Sequence, residues 1–106
     1  MNALLTVTDN VGHYEAFDKS DRYIVWAEDG EYSSMGTNNY KGGQMVEGTI
    51  DYFTKDEDDE NIEKIPVALN AARIWWRLNS VQYEDETRFI HYEWLFRVRQ
   101  MYDGEV

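Results

Sequence analysis

The chain has 106 residues, which is enough for one domain with a single hydrophobic core and too few for two. Hydrophobic residues make up 42% and charged residues 29%, which is typical of a folded protein and excludes a disordered chain. Ten basic against 21 acidic residues give a net charge of −11, which disfavours a general binder of nucleic-acid phosphates. Because cysteine is absent, disulfides, thiolate nucleophiles, zinc–thiolate sites and iron–sulfur clusters are excluded.

Membrane insertion and secretion are also disfavoured. No apolar run approaches the ~20 residues that span a bilayer, and residues 1–10 lack the basic start of a secretory signal. We therefore expect a soluble, acidic protein of the cytosol with no membrane partner and no cofactor.

Three short segments open the chain. Residues 3–8 are apolar and predict either the end of a helix or an edge segment. Residues 12–17 and 22–28 predict two strands separated by a polar turn at 18–21. The second strand is rich in Tyr, Ile, Val and Trp without alternation, which predicts burial on both of its faces.

Residues 29–44 contain four glycines and no hydrophobic period, and we expect them to form a long loop. A structureless loop of this length in so small a domain is usually either functional or disordered. We expect it to be the main docking element, since its few large apolar and amide side chains lack partners within one subunit. The predicted contact residues of the loop are Tyr32, Met35, Asn38, Asn39 and Tyr40.

The next segment predicts a half-buried strand followed by a helix. Residues 45–54 alternate in polarity, and Gly48 within them indicates a bulge or a close approach. The charged run at 55–60 favours a helix that begins near residues 58–61, because acidic groups stabilise the positive end of a helix. Pro66 leaves two alternatives: the helix kinks at this residue, or it begins there after a loose turn.

The last segment predicts a hairpin. Residues 75–84 and 89–101 are strands, and residues 84–88 form the loop between them. The whole chain, residues 1–106, therefore predicts one α+β domain, with a mainly antiparallel sheet of four to five strands packed against one main helix.

The acidic and glycine-rich segments lack the order that ion or phosphate binding requires. The acids of residues 56–60 are consecutive, without the alternate ligands and central glycine of a calcium loop, and indicate a solvated start of a helix. Lys41 precedes the glycines at 42 and 43, whereas the lysine of a phosphate-binding loop follows them.

The histidines and tryptophans offer two further candidate sites. His91 and Glu93 share a strand face and form a candidate base with an orienting carboxylate, or an ordinary polar sheet face. No nucleophile motif accompanies them, and we expect no enzymatic activity. Trp94 belongs to an alternating stripe and is expected in the core. Trp75 and Trp76 are adjacent, so one of them faces away from the core; Trp75 is our candidate interface residue.

Four segments, taken together in order and spacing, resemble the tail-terminator (tail-completion) family of long, non-contractile-tailed phages and prophages. They are residues 23–30 (YIVWAEDG), 48–54 (GTIDYFT), 78–84 (LNSVQYE) and 90–94 (IHYEW). The resemblance implies a non-enzymatic subunit of the virion tail, assembled in the host cytoplasm. It further implies a homo-oligomeric ring, commonly of six, that caps the tail tube and contacts a head-connector protein.

Two alternatives belong to other functional classes. The chain is a small-molecule or carbohydrate-binding module if an exposed Trp75 or Trp76 acts with the loop at 29–44. It is an acidic inhibitor that mimics nucleic acid if its charge of −11 is the functional feature. Native mass distinguishes the first alternative from a ring, and competition with DNA for a basic protein identifies the second.

Overall fold

The computed structural model describes residues 2–16, 20–31 and 44–100, which contain two helices and five strands. In chain order these elements are α1 (Asn2–Leu5), β1 (Val11–His13), β2 (Arg22–Glu31), β3 (Gln44–Thr54), α2 (Asn61–Ala71), β4 (Trp75–Tyr83) and β5 (Ile90–Gln100).

The five strands form one sheet in the order β1-β2-β3-β5-β4. All neighbouring pairs are antiparallel except β1 and β2, which are parallel. The prediction of an α+β fold with a mainly antiparallel sheet is confirmed. Strands β3 and β5 lie at the centre, and β1 and β4 form the two edges.

The first half of the sheet differs from the predicted segments in its boundaries. Strand β1 has only three residues, shorter than the predicted 12–17. Strand β2 continues to Glu31 and β3 begins at Gln44, so the predicted loop at 29–44 is too long at both ends. Pairing of β2 with β3 extends both strands, and the ladder absorbs one additional residue of β2 as a bulge between Glu28 and Gly30.

Two helices cover one face of the sheet, so the prediction of one main helix is only partly correct. Helix α1 is a single turn that places Leu4 in the core. Helix α2 begins at Asn61, as the acidic run predicts, and Pro66 lies inside it; the alternative that the helix begins at Pro66 is wrong. Burial of Ile65 and Leu69 against the sheet offsets the hydrogen bond that the proline cannot donate.

The core lies between these helices and the alternating residues of the three central strands. Trp94 is only 2% exposed, which confirms its predicted place in the core, and its ring stacks on that of Tyr92 at 5.9 Å. The fully or nearly fully buried cluster consists of Leu4, Ile24, Trp26, Ile50, Tyr52, Ile65, Leu69, Trp94 and Phe96.

Of the two alternatives predicted for Gly48, the structure confirms the close approach, because the bulge of this ladder lies in β2 and not in β3. It lies opposite Glu28, next to the bulge in β2. A Cβ atom at this position would lie 2.1 Å from the carbonyl oxygen of Ala27 and 2.6 Å from the ring of Phe96. Only glycine therefore fits at the point where β3 crosses beneath this ring.

Candidate functional site

The predicted interface residues of the loop, Tyr32, Met35, Asn38, Asn39 and Tyr40, lie outside the described residues. The prediction that they form the docking element therefore stays a prediction. The described flanks of this segment belong to the sheet, because Glu31 pairs with Val46.

Trp75 lies on the sheet face that the helices leave open, and its side chain is 44% exposed. The guanidinium carbon of Arg97 lies 4.2 Å from the centre of its ring, a cation–π contact. Arg97 in turn donates from Nε to Glu47 at 2.8 Å. One face of the indole is therefore covered by a guanidinium group that is itself held by a carboxylate.

Trp76 faces the opposite way, as the adjacency of the two tryptophans predicts. Its Nε1 donates to Oδ1 of Asn70 in α2 at 2.8 Å, and the ring packs against the core. Helix α2 therefore covers β4 at its start.

Farther along β4 the helix no longer covers the strand. Leu78, Val81 and Tyr83 project on the same face as Trp76 and are 47%, 50% and 61% exposed. Among the described strands, β4 has β5 on one side and no neighbour on the other. We call these three side chains, Trp75 and the outer backbone edge of β4 the β4 edge surface.

One hydrogen bond at the hairpin shows which residues of β4 point their backbone groups away from β5. The amide of Glu84 donates to the carbonyl of Phe89 at 2.9 Å, so the peptide groups of Glu84 point towards β5. Because these directions alternate in an antiparallel pair, the N–H and C=O groups of Tyr83 and Val81 point away from β5. Within the described part of the chain, the edge therefore offers donors and acceptors without strand partners beside exposed apolar side chains.

Strand β4 carries no acidic residue, although the chain as a whole is strongly acidic. The strand, WWRLNSVQY, has Arg77 as its only charged residue and no acid. Its start is preceded by Arg73, whereas the loop after it begins with three acids at residues 84–86. Although the chain has a net charge of −11, a partner of β4 therefore meets no acidic side chain from the strand itself. Sequence reasoning missed this surface, although the absence of acids over nine residues is visible in the printed sequence.

The opposite edge of the sheet is protected. Strand β1 is short, and beyond it the hydroxyl of Tyr14 donates to the backbone carbonyl of Glu28 at 3.3 Å. The carboxylate of Glu28 pairs with Nε2 of His13 at 2.5 Å. Short strands and side chains across the edge are devices that prevent strand addition. The two edges of this sheet are therefore not equivalent.

The open face of the sheet carries a second cluster around His91. Its Nε2 lies 2.7 Å from Oδ1 of Asp51, and its ring stacks on Phe53 at 4.3 Å. The hydrogen bond to Asp51 raises the pKa of His91, although partial burial acts in the opposite direction. His91 and Glu93 do share this face, but Glu93 accepts a hydrogen bond from Ser80 and the partner of the imidazole is Asp51.

A shallow cavity of about 410 Å³ adjoins this cluster and is lined by Tyr14, Tyr23 and Phe53 as well as the histidine. Tyr23 stacks on Phe53 at 4.6 Å, so the aromatic rings pack against each other. The arrangement is a histidine–carboxylate hydrogen bond supported by aromatic packing, and no hydroxyl of the described residues is hydrogen-bonded to the imidazole.

The acidic run before α2 contains one buried member, which corrects the prediction that it is a solvated helix start throughout. Asp59 is 4% exposed and accepts hydrogen bonds from the hydroxyls of Tyr52 at 2.5 Å and Thr54 at 2.7 Å. The amide of Asn61 donates to its other oxygen at 2.9 Å. Burial alone would raise the pKa of Asp59, but these hydrogen bonds outweigh it and the pKa is lowered.

Residues 2–16, 20–31 and 44–100 contain no group of three or more His, Asp or Glu side chains placed to hold a metal ion. No helix in these ranges is long and apolar enough to cross a bilayer. No protein-family model matches the chain, and no curated protein is significantly similar to it.

Proposed function

We propose that the chain is a structural subunit that works by protein–protein association through the β4 edge surface. The observation that carries this proposal is a nine-residue edge strand with three exposed apolar side chains on one face and no acidic residue. Such an edge is a template for pairing with another strand. The β1 edge is protected by its short strand and by side chains that cross it, whereas the described β4 edge runs for nine residues with one bulge between Leu78 and Ser80.

The kind of assembly is proposed from the resemblance of the sequence to tail terminators. In this proposal the subunits form a ring that caps a phage or prophage tail tube and joins it to the head connector. The partners are then further copies of this chain, the tail-tube protein and the connector protein, and the mature location is the virion tail. Genes for a tail-tube protein and a connector protein on either side of the coding sequence would support this assignment.

The geometry supports the carbohydrate- or small-molecule-binding alternative less well. Trp76 is only partly exposed, because its Nε1 is hydrogen-bonded to Asn70 and its ring packs against the core. Trp75 is exposed, but Arg97 occupies one face of its indole. The acidic-inhibitor alternative has no support beyond the net charge.

A matched pair of valines tests the proposal. Val81 on β4 and Val67 on α2 are both exposed, at 50% and 65%. Native mass spectrometry of the full chain from about 1 to 100 µM, a range that covers weak association, is expected to show oligomers of the wild type. Val81→Lys is expected to abolish these oligomers, because it places a charge in the contact, and Val67→Lys is expected to leave them intact.

Circular dichroism of both variants establishes that the fold is retained. A wild type that stays monomeric over the whole range would contradict self-association. Oligomers that survive in Val81→Lys would place the contact elsewhere on the molecule.

A further inference from the structure

We infer that the partner of the β4 edge surface is the same surface of a second copy, paired antiparallel about a two-fold axis between Asn79 and Ser80. This inference rests on the proposed association through the β4 edge surface. Because a two-fold contact closes on itself as a dimer, the proposed ring would need a second contact elsewhere on the subunit. The pairing joins two five-stranded sheets into one of ten strands.

The inequality of the two sheet edges favours a contact of β4 with β4. A head-to-tail contact would require β4 of one copy to pair with the β1 edge of the next. That edge offers three residues of β1, followed by a carbonyl that Tyr14 already occupies. Among the described strands, only the β4 edge has a long run of backbone groups without a strand partner, so the contact that uses the most of them is the self-complementary one.

The register follows from the outward backbone groups. Val81 and Tyr83 point outward, as the hairpin bond requires. Ser80 lies opposite Glu93 and Leu78 opposite Trp94, with Asn79 as the additional residue of a bulge. If the alternation continues through these partners, the backbone N–H and C=O groups of Leu78 also point away from β5. Those of Trp76, two residues earlier, point the same way.

With a two-fold axis between Asn79 and Ser80, the outward backbone N–H and C=O groups of one copy face those of the other and can form hydrogen bonds. Leu78 of each copy then lies opposite Val81 of the other, and Trp76 lies opposite Tyr83. The bulges of the two copies lie opposite each other at the axis, so outward-pointing residues face outward-pointing residues on both sides of it. These four side chains project on the helix-covered face, where cross-strand pairing removes apolar surface from water.

Charge complementarity supports the antiparallel direction. The basic residues Arg73 and Arg77 stand at the start of β4, and the acids at 84–86 stand just past its end. Antiparallel pairing brings the basic end of each copy against the acidic end of the other. In the proposed register Arg77 and Glu84 of the other copy are diagonal neighbours on one face, within reach of long side chains. Parallel pairing would instead place acids opposite acids.

A charge exchange between two variants tests this register. In Arg77→Glu homodimers, both diagonal contacts become acid against acid, and in Glu84→Lys homodimers both become base against base. We expect the dissociation constant of each homodimer to rise about tenfold relative to the wild type. In an equimolar mixture, each diagonal contact again joins opposite charges, and heterodimers are expected to form about as tightly as the wild type.

Native mass spectrometry resolves the two homodimers and the heterodimer by mass. Glu84 also accepts a hydrogen bond from Thr87 at 3.0 Å, so thermal unfolding of each variant first verifies the fold. Preferential heterodimers support the inference, and a statistical mixture or uniformly weak association overturns it. If the wild type associates in a manner sensitive to Val81→Lys but the exchange fails to restore pairing, only the register is wrong. A wild type that never associates contradicts the proposed function itself.

Discussion

At the scale of single residues, Asp59 differs most from its neighbours in sequence. It is buried and hydrogen-bonded, while Asp58 beside it is exposed. We expect Asp59→Asn to lower the free energy of unfolding by about 1–3 kcal/mol, because the amide nitrogen then faces either both hydroxyl donors or the backbone N–H of Asn61. Asp58→Asn, the matched control, is expected to change it by less than about 0.5 kcal/mol. Chemical denaturation at neutral pH measures both, and equal losses would contradict the buried position.

The loss of stability caused by Asp59→Asn is expected to depend on pH. Because the pKa of Asp59 is lowered in the folded state, its contribution to stability is present above the unfolded value of about 3.9. This contribution is lost as the pH falls through the folded value. The difference between the wild type and Asp59→Asn is therefore expected to be constant above about pH 5 and to shrink towards pH 3.

The contribution of His91 to stability is expected to depend on pH in the opposite direction. The hydrogen bond to Asp51 raises its pKa, so its contribution is complete below the unfolded value of about 6.5 and is lost as the pH rises through the folded value. Relative to His91→Gln, the wild type should therefore gain stability between about pH 9 and pH 6. Asp51→Asn should reduce this pH dependence, because it removes the largest cause of the raised pKa while Glu84 and Glu93 remain. Denaturation midpoints at both pH values test this, and a constant difference would contradict the ion pair.

At the scale of elements, the end of α2 is formed by a residue in an unfavourable conformation. Arg73 has a φ of 60°, and its amide and that of Ile74 donate to Asn70 and Leu69, which is a Schellman motif. We expect Arg73→Gly to raise the free energy of unfolding by about 0.5–1 kcal/mol, because glycine adopts this conformation without steric cost. Arg77→Gly, in regular strand, should instead destabilise. A lower thermal midpoint for Arg73→Gly would contradict this account of the helix end.

Strand β3 depends on the missing side chain of Gly48. The added methyl of Gly48→Ala would overlap a backbone carbonyl, which cannot rotate away as a flexible side chain does. We expect a loss of about 3 kcal/mol or more. Thr49→Ala on the opposite face serves as the control, with an expected loss near 1 kcal/mol. If Gly48→Ala is tolerated, β2 and β3 can move apart enough to accommodate a methyl group, which would contradict the close approach at this position.

At the scale of the whole molecule, the strand order predicts a gradient of local stability. Strands β3 and β5 have neighbours on both sides, whereas β1 and β4 have one each. In hydrogen exchange at low concentration, we expect amides of β3 and β5 to exchange most slowly and the outward amides of Val81 and Tyr83 to exchange fast. Raising the concentration should slow these two amides specifically if the edges pair. Uniform protection across the sheet would contradict the gradient.

The sequence predicts the fold class because most of the sheet obeys a simple period. Alternation in residues 45–54 and 89–101 places Trp94 and Ile50 in the core, and the acidic run marks the start of α2. The pattern does not predict the parallel pairing of β1, since three residues carry no period. It also misplaces the ends of β2 and β3, because pairing between strands extends them through residues such as Gly30 that locally favour a loop.

The candidate site was only partly accessible to sequence reasoning. The opposed faces of Trp75 and Trp76 follow from their adjacency, and the structure places Trp75 outside as expected. The exposure of Leu78, Val81 and Tyr83 does not follow, because their apolar character equally fits burial under a helix. Their exposure depends on how far α2 extends over the sheet, which is a tertiary property. Likewise, Asp59 is indistinguishable from Asp58 until Tyr52 and Thr54 are brought beside it.

The position of β5 in the sheet has a consequence for biosynthesis. Strand β5 lies between β3 and β4 but is the last of the five to leave the ribosome. Until β5 is synthesised, one edge of β3 is unpaired and β4 has no strand neighbour. Helix α2 can then bury its apolar face against only part of the sheet. The nascent chain therefore passes through a stage in which strand edges are exposed to other nascent chains, and completion of the fold waits for a single late insertion. Substitutions in β5 should for this reason reduce soluble yield during expression more than their effect on the stability of the finished protein indicates.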